Sequence, residues 1–479
     1  MSIVESTGEI TGRKPEELVL WLGLGTYPTV RNPKNPNLCC IIIAMQFHKH
    51  TLSNGLRIIT VPMPALESVT VTVWVKTGSR NEAKKTNGIS HFLEHMVFKG
   101  SLRRPTAKDI SEAVDAIGGE MNAGTSKEWT NFYIKARADN LGTAMDVLSD
   151  MVINPLIDKK EVAREKGVIC EEIAMYEDTP MMHIGDVFEQ LIFKGNPLGW
   201  DTTGSAKTVK IITREDFLQY RKIHYFTDNM LLTISGGVKE QNVIKLAEKY
   251  FAQITNAPTS LKLRGAGKFQ SNQKKPQVLL YPQKKEQAHL IMGFRGHPRN
   301  YEHRYAEAVL SAILGAGMSS RMFMEVRERR GLAYSVRTSI DRYVDTGYLA
   351  TYAGVDPAKA EEAIKVILDQ YYGIIPTSPR LRGAGKFPIS NIELAKAKEL
   401  IKGHVALALE DTRAVNDFFG EDELFDGNNE TPEEVFAKID KVTVGEVVTE
   451  AKKLFKAEKL NLAIIGPFKD DNKFVKLLH

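Results

Sequence analysis

Cysteine is scarce in this sequence. Only three occur in 479 residues: Cys39 and Cys40 are adjacent, and Cys170 lies far along the chain. Three residues spaced in this way cannot build a disulfide framework, and they cannot form a zinc ribbon held by cysteines. A reducing compartment is the default for such a chain, and we therefore expect a cytoplasmic protein.

Long hydrophobic runs and a charge of one sign are missing as well. The apolar stretches Leu18–Gly25 and Cys39–Met45 are far shorter than the roughly 18 residues of a membrane span. Lys and Arg number 64 against 59 Asp and Glu, and no basic run is interleaved with aromatic residues. The sequence therefore predicts a soluble protein without a membrane span and without a nucleic-acid partner.

Hydrophobic residues are plentiful, at 43% of the chain, and this is enough for two or three globular domains. The first 44 residues fit neither a secretory signal nor a transit peptide, because acidic residues accompany their apolar stretch. We expect residues 1–44 to be a poorly ordered extension. The pattern changes at Met45, where two strand-like segments flank Asn54 and Gly55 and predict a β-hairpin.

One pattern of helix, turn and apolar strand occurs twice. The segment from Thr213 to Gly236 predicts a helix capped by its threonine, followed by a strand that ends in glycine. The segment from Thr443 to Gly466 has the same length and order. A weaker match pairs the segments that start at Ala136 and Gly354, each a strand end and an amphipathic helix. Two matches in the same order predict a duplicated α+β unit.

The duplication predicts the domain boundaries. We place a first domain at residues 45–255, a polar linker at 256–276 and a second domain at 277–479. Two nearly identical segments, Pro258–Phe269 and Pro376–Phe387, lie at non-equivalent places in the two units. Their Gly, Pro and basic composition indicates loops inserted in the linker and at about 376–389. A phosphate-binding loop is disfavoured, because Lys262 stands where that motif has its first glycine and Phe269 where it has Ser or Thr.

The segment ISHFLEHMVF contains a candidate metal-binding motif. On a helix, His91, Glu94 and His95 fall within about 100° of one another, away from an apolar stripe. Two imidazoles at i and i+4 can bind one Zn²⁺, and the carboxylate can flank a water on that metal. A helix that carries two histidines for structural reasons is the alternative for an isolated motif of this kind.

A catalytic zinc site needs a third protein ligand. The best source is the acidic helix predicted from Asp158 to Asp178, on which Glu161, Glu165 and Glu172 share a face. Surface charge explains some of these residues. Glu172, however, sits among apolar neighbours, where a carboxylate is costly to bury unless it is paired or bound to a metal.

With these motifs, the chain resembles the zinc metallopeptidases of the pitrilysin, insulysin and mitochondrial processing peptidase family, the inverzincins. Their H-x-x-E-H motif is followed after about 76 residues by a glutamate ligand, and 76 residues separate His95 from Glu172 here. The resemblance implies that His91, His95 and Glu172 hold one Zn²⁺ per chain. It also implies that Glu94 is the general base and that Glu165 supports the catalytic site.

Two further segments resemble the same family. Gly118–Ala136 matches a turn and a strand whose edge receives the substrate backbone, with Asn122 at the position that holds the peptide. Gly315–Val336 matches a segment in which an arginine and a tyrosine reach across to the substrate, and Arg327 and Tyr334 have this spacing. The resemblance therefore implies that substrate is bound from both halves of the chain.

The fold implied by the resemblance is α+β, with two homologous domains that enclose a chamber, each an antiparallel sheet flanked by helices. The implied function is that of a zinc metalloendopeptidase that cleaves unfolded or short peptides by means of a zinc-bound water activated by Glu94. The chain resembles in particular the short two-domain bacterial-type processing peptidases, and by analogy we expect a homodimer. The alternative is a catalytically silent subunit that binds peptides or serves as a scaffold, and a metalloenzyme of another class is a third interpretation.

Overall fold

The computed structural model describes residues 30–31, 39–40, 45–256, 267–376 and 387–478. The chain divides into two compact units, Met1–Gln46 and Phe47–His479. In the first unit, the two-residue strands β1 and β2 pair antiparallel. Most of the predicted extension at 1–44 and most of the two repeated inserts lie outside the described residues.

Thirteen strands occur in the described ranges, and eleven of them belong to the second unit. Their bounds are β1 Val30–Arg31, β2 Cys39–Cys40, β3 His48–Thr51, β4 Arg57–Pro62, β5 Ser68–Val75, β6 Glu120–Thr125, β7 Thr130–Arg137, β8 Met230–Gly236, β9 Gln277–Pro282, β10 Ala288–Gly296, β11 Ala333–Arg342, β12 Gly347–Val355 and β13 Leu460–Gly466.

The helices of the second unit lie between and after these strands. Their bounds are α1 Ile89–Val97, α2 Ala107–Asp115, α3 Leu141–Ile153, α4 Lys159–Asp178, α5 Pro180–Ile192, α6 Ala206–Ile211, α7 Arg214–His224, α8 Glu240–Phe251, α9 Arg304–Gly315, α10 Ala360–Gly373, α11 Asn391–Ala408, α12 Thr412–Phe425, α13 Pro432–Lys441, α14 Val444–Leu454 and α15 Asn472–Leu478. A π-helical turn spans Phe323–Glu328. No helix in the described ranges is long and apolar enough to cross a membrane.

Two sheets of matching topology form the framework of the second unit. The first sheet has the order β3-β4-β8-β5-β7-β6, and the second has the order β11-β12-β10-β13-β9. Reading the second order backwards matches β9, β13, β10, β12 and β11 to β4, β8, β5, β7 and β6. In each sheet one pair is parallel, β4 with β8 and β9 with β13, and the other pairs are antiparallel. The predicted α+β fold of two related halves is confirmed, and each sheet is mixed, with one parallel pair, where an antiparallel sheet was expected.

The parallel pairs follow from the repeated helix and strand that the sequence predicts. Thr213 and Asp216 form a reciprocal capping box at the start of α7, with bonds of 3.3 Å and 2.8 Å between side chain and backbone. Thr443 and Glu446 form the same box at the start of α14. Both helices then lead into strands, β8 and β13, that enter the sheet interior. A strand that arrives through a helix can lie parallel to its neighbour, which a tight hairpin does not allow.

Each half also packs a helix on the sheet of the other half. Helix α5, which comes from the half that carries the zinc motif, buries Val187 and Phe188 in one apolar cluster with Ala463 and Ile465 of β13. Conversely, α12 lies on β5 and β8 of the first sheet. Its Asn416 side chain donates to backbone oxygens of that sheet at 2.9 Å and 3.1 Å. This exchange ties the two halves together, and α5 also lines the cavity that contains His91 and His95.

Candidate metal centre

Helix α1 is the zinc-motif helix, and its buried side is the apolar stripe that the sequence predicts. Ile89, Phe92, Leu93 and Met96 are at most 2% exposed, and they pack against α4 and α7. The phenyl ring of Phe92 meets that of Phe217 edge to face, with 4.9 Å between ring centroids. This packing fixes the rotation of α1, so that its histidines lie on the side away from the stripe.

The first turn of α1 is held by a buried carboxylate. The residue before the helix, Gly88, has a φ of 98° and no side chain that could cap it. Glu82 takes this role from the preceding loop, and its two oxygens accept from the backbone N–H groups of Gly88 at 2.7 Å and Ser90 at 2.8 Å. The Ser90 hydroxyl is also within 2.7 Å of the Tyr220 hydroxyl. Ser90, which directly precedes His91, is therefore fixed by its backbone and by its side chain.

The three predicted ligands lie together. The Nε2 atoms of His91 and His95 are 3.3 Å apart. The carboxylate oxygens of Glu172, on α4, lie 3.6 Å from the first of these atoms and 3.5 Å from the second. Zinc bonds of about 2.0–2.1 Å in a tetrahedral site place ligand atoms roughly 3.3–3.4 Å apart. The donor set and its spacing therefore fit one zinc ion.

A second layer of contacts orients one of the histidines. Glu165 lies two turns before Glu172 on α4. Its carboxylate accepts hydrogen bonds from His95 Nδ1 at 3.0 Å and from the Lys99 ammonium at 2.8 Å. Burial opposes the ionisation of Glu165, but these two hydrogen bonds outweigh it and lower the pKa of the carboxyl. With Nδ1 of His95 bonded to a carboxylate, Nε2 is left to bind a metal. The Nδ1 atom of His91 is buried and has no such partner among the described residues.

The predicted base and the predicted peptide-binding residue lie close to the edge strand β6. Glu94 faces the cavity, and one of its oxygens accepts a short hydrogen bond from the hydroxyl of Thr125. Asn122 is exposed on the same strand, and its side-chain oxygen accepts from the N–H of Ala123 at 2.8 Å. Within the described residues, β6 pairs only with β7, so its outer edge is open to an extended chain.

The second half lines the cavity with residues other than the predicted pair of arginine and tyrosine. A cavity of about 660 Å³ includes the predicted ligands and the base, and from the second half it includes Ser335, Arg337 and Tyr352. Arg327 lies 5.2 Å from the ring centre of Tyr334, and the tyrosine is 79% exposed. This pair is not among the cavity residues, and its contact with substrate stays a prediction.

Two aspartates in the cavity wall were not expected from the sequence. Asp186 on α5 and Asp201 both line the cavity. Burial, together with the negative charge of Asp201, raises the pKa of Asp186 to about 7. Neither aspartate belongs to a recognisable motif, so neither stands out in the sequence. Alternation along β11 could have placed Ser335 and Arg337 on one face, but it could not show that this face meets the cavity of His91, His95 and Glu172.

A second group of possible ligands occurs far from the zinc motif. The ligand atoms of His297, Glu307 and Glu450 lie within 4.8 Å of one another. Each carboxylate already has a cation, since Arg342 is 2.7 Å from Glu307 and Lys453 is 2.8 Å from Glu450. A divalent ion would add charge to a group that is already neutralised, so we interpret this group as a buried ion-pair network.

Comparison with known families shows to which family the chain belongs. A family model described as "Insulinase (Peptidase family M16)" matches residues 57–205, and one described as "Peptidase M16 inactive domain" matches residues 212–375. The chain belongs to the M16 peptidase family. The first M16 match contains the H-x-x-E-H motif and Glu172, and the second covers much of the half without such a motif.

Relatives of this M16 chain are named as zinc proteases. A Streptomyces coelicolor protein named as an uncharacterized zinc protease is 36% identical over 422 residues, which cover 88% of this chain and 89% of the relative. A Bacillus subtilis protein with the same description is 35% identical over 419 residues, covering 88% and 98%.

Solved structures show the fold. A protease from Helicobacter pylori matches with a TM-score of 0.81 at 23% identity, covering 88% of this chain and 100% of that one. A peptidase M16 inactive domain from Pseudomonas fluorescens matches with a TM-score of 0.79 at 17% identity, covering 89% and 98%. Both matches extend over the two halves, in agreement with the predicted processing-peptidase fold.

Proposed function

We propose that the chain is a zinc-dependent metalloendopeptidase that cleaves unfolded or short peptides. The observation that carries the proposal is the mutual distance of 3.3–3.6 Å among the nitrogen and oxygen atoms of His91, His95 and Glu172. These residues would hold one Zn²⁺ per chain, with Glu165 orienting His95. The M16 family and the names of the relatives support zinc and proteolysis in general.

When bound, zinc supplies a Lewis acid that polarises the scissile carbonyl and makes a coordinated water more acidic. Glu94 takes a proton from the attacking water, whose oxygen bonds to the carbonyl carbon. Glu94 then returns the proton to the amide nitrogen as the carbon–nitrogen bond breaks. The products are a carboxylic acid and an amine, so one water is consumed for each bond cleaved.

The open edge of β6 would hold the substrate. An extended peptide can pair with its free N–H and C=O groups, with the side chain of Asn122 as an added contact. Arg327 and Tyr334 would reach the peptide from the second half, while Arg337 and Tyr352 already border the cavity. A cleft of this size accepts an extended chain, whereas a folded protein would be too wide. A homodimer and the domain boundaries at 255 and 277 stay predictions.

The test compares the wild type with Glu94→Gln on a library of unstructured peptides, with zinc content measured in parallel. We expect Glu94→Gln to keep zinc and to lose at least about a hundredfold in cleavage, as is typical when a general base is removed. Glu172→Gln should instead lower the zinc content. Near wild-type turnover by Glu94→Gln would overturn the mechanism.

The competing proposal is a silent peptide-binding or scaffold subunit. This alternative is supported by the description "inactive domain" for the match to residues 212–375, although that match does not include the zinc motif. Peptide cleavage that is absent from the zinc-loaded protein, or that a chelator leaves unchanged, would favour this alternative. Cleavage that stops with chelator and returns with added Zn²⁺ would favour the peptidase.

A further inference from the structure

The hydroxyl of Thr125 is the single hydrogen-bond donor that contacts the proposed base in the described part of the chain. Thr125 is the last residue of β6, and its Oγ1 donates to Oε2 of Glu94. Both residues line the cavity of the zinc ligands. Glu94 is half-buried and its side chain has three rotatable bonds, so this contact selects one orientation of the carboxylate.

The backbone of Thr125 is well placed to fix that orientation. Thr125 pairs with Thr130 of β7, and the next residue, Ser126, accepts from the N–H of Ser79 at 3.2 Å. The N–H of Ser126 in turn donates to Trp129 O at 2.8 Å. The end of the hairpin is therefore fixed by a bond to the Ser79 loop and by a bond across its own turn. The Thr125 side chain projects from this rigid strand end and not from a loop.

We propose that Thr125 is a positioning residue that holds Glu94 in the orientation needed for proton transfer. Because Thr125 belongs to the strand whose open edge would receive the peptide, it also links the docking of substrate to the placement of the base. A peptide on the edge of β6 and the Glu94 carboxylate would therefore be held by the same rigid strand. The inference rests on the proposed function, since it requires Glu94 to act as the base.

Three variants separate this role from a purely structural one. Thr125→Val keeps the shape of the side chain and removes the hydroxyl, whereas Thr125→Ser keeps the hydroxyl. Thr51→Val makes the same change at an exposed site on β3, at the opposite edge of the same sheet. All proteins are assayed as the full zinc-loaded chain, with zinc content and thermal unfolding measured beside kcat and KM.

We expect Thr125→Val to lower kcat about tenfold, because a hydrogen bond to a charged group is lost, and to leave KM within about twofold. Thr125→Ser should recover most of kcat, and Thr51→Val should match the wild type. Zinc content should be the same in all of them. If Thr125 acts through Glu94, adding Thr125→Val to Glu94→Gln should cause little further loss.

The outcomes distinguish this inference from the proposed function. If Glu94→Gln keeps its turnover, the general base itself is wrong. If Glu94→Gln is impaired while Thr125→Val behaves as the wild type, or if Thr125→Ser is as poor as Thr125→Val, the positioning role alone is overturned. A Thr125→Val protein that loses zinc or unfolds at a lower temperature would also overturn it, since the effect would then be structural.

Discussion

At the scale of single residues, Asp186 in the cavity wall has a pKa well above the ordinary value of an aspartate. Burial beside Asp201 raises the pKa of Asp186 to about 7 in the fold, from an ordinary value of 3.8. The native state therefore holds a proton that the unfolded chain has already released between these two values. Stability falls as pH rises through this window, by at most about 1.4 kcal/mol per pH unit, and the loss is constant above it.

The substitution Asp186→Asn removes this ionisation with little change of shape. We predict that the free energy of unfolding of Asp186→Asn rises relative to the wild type as pH increases from about 4 to 7. Urea unfolding at several pH values would measure it. Metal-free protein is needed, because a nearby Zn²⁺ favours the ionised carboxylate. The exposed Asp115→Asn serves as the control, and an equal rise in that protein would contradict the prediction.

The sequence is informative about single residues only where a motif has fixed spacing. The group of His91, His95 and Glu172, which the structure brings together, could be selected from the sequence, because the i and i+4 pair and the 76-residue spacing given by the family resemblance can be read along the chain. Thr125 and Asp186 could not, because their roles arise from contacts between elements that are distant in sequence. A hydroxyl becomes a partner of Glu94 only when β6 is placed beside α1.

At the scale of elements, the stability of α1 depends on a cap that comes from outside the helix. Glu82 is buried and, besides the two backbone N–H groups, its carboxylate accepts from the side chain of Asn87 at 2.9 Å. Burial raises the pKa of this carboxyl to about 7 in spite of these donors. Above this pH the carboxyl is ionised and both of its oxygens act as acceptors, because donors approach each of them.

We predict that, above pH 7, Glu82→Gln destabilises the protein by about 1–3 kcal/mol, since its amide group would face an N–H donor and leave it unsatisfied. The first turn of α1 carries His91, so zinc should also be released faster to a chelator. Denaturant unfolding and the rate of zinc loss are the measurements. Glu112→Gln, on the exposed face of α2, is the control. Unchanged zinc release by Glu82→Gln would show that the cap does not position the ligand.

Helices and strands could be predicted from the sequence where their caps and hydrophobic periodicity depend only on residues close together in the chain. The capped helices α7 and α14 and the strands after them occur where the repeated pattern places them. The parallel pairing of β4 with β8 was not predicted, because pairing depends on where a strand enters the sheet. Alternation within a strand indicates which residues share a face, but it does not identify the neighbouring strand.

At the scale of the whole molecule, the exchange of α5 and α12 couples the two halves to the site. Helix α5 follows α4 directly, so the helix that carries Glu172 continues into one that packs on the second sheet. A buried ion bridge adds to this link, in which Arg80 pairs with Glu128 at 2.6 Å and with Asp345 at 2.6 Å. Any separation of the halves must therefore break buried apolar and charged contacts.

A close approach in this exchange occurs between α12 and a tryptophan of the first sheet. A Cβ at Gly420 would lie 2.7 Å from the indole of Trp74, and the indole N–H is held by Thr233 at 2.9 Å. We predict that Gly420→Ala lowers the free energy of unfolding by about 1–3 kcal/mol, as expected for overpacking. Gly403→Ala, inside α11 with open space around it, should instead stabilise by about 0.5–1 kcal/mol. Denaturant unfolding measures both changes, and a Gly420→Ala protein as stable as Gly403→Ala would show that α12 can move away from the sheet at little cost.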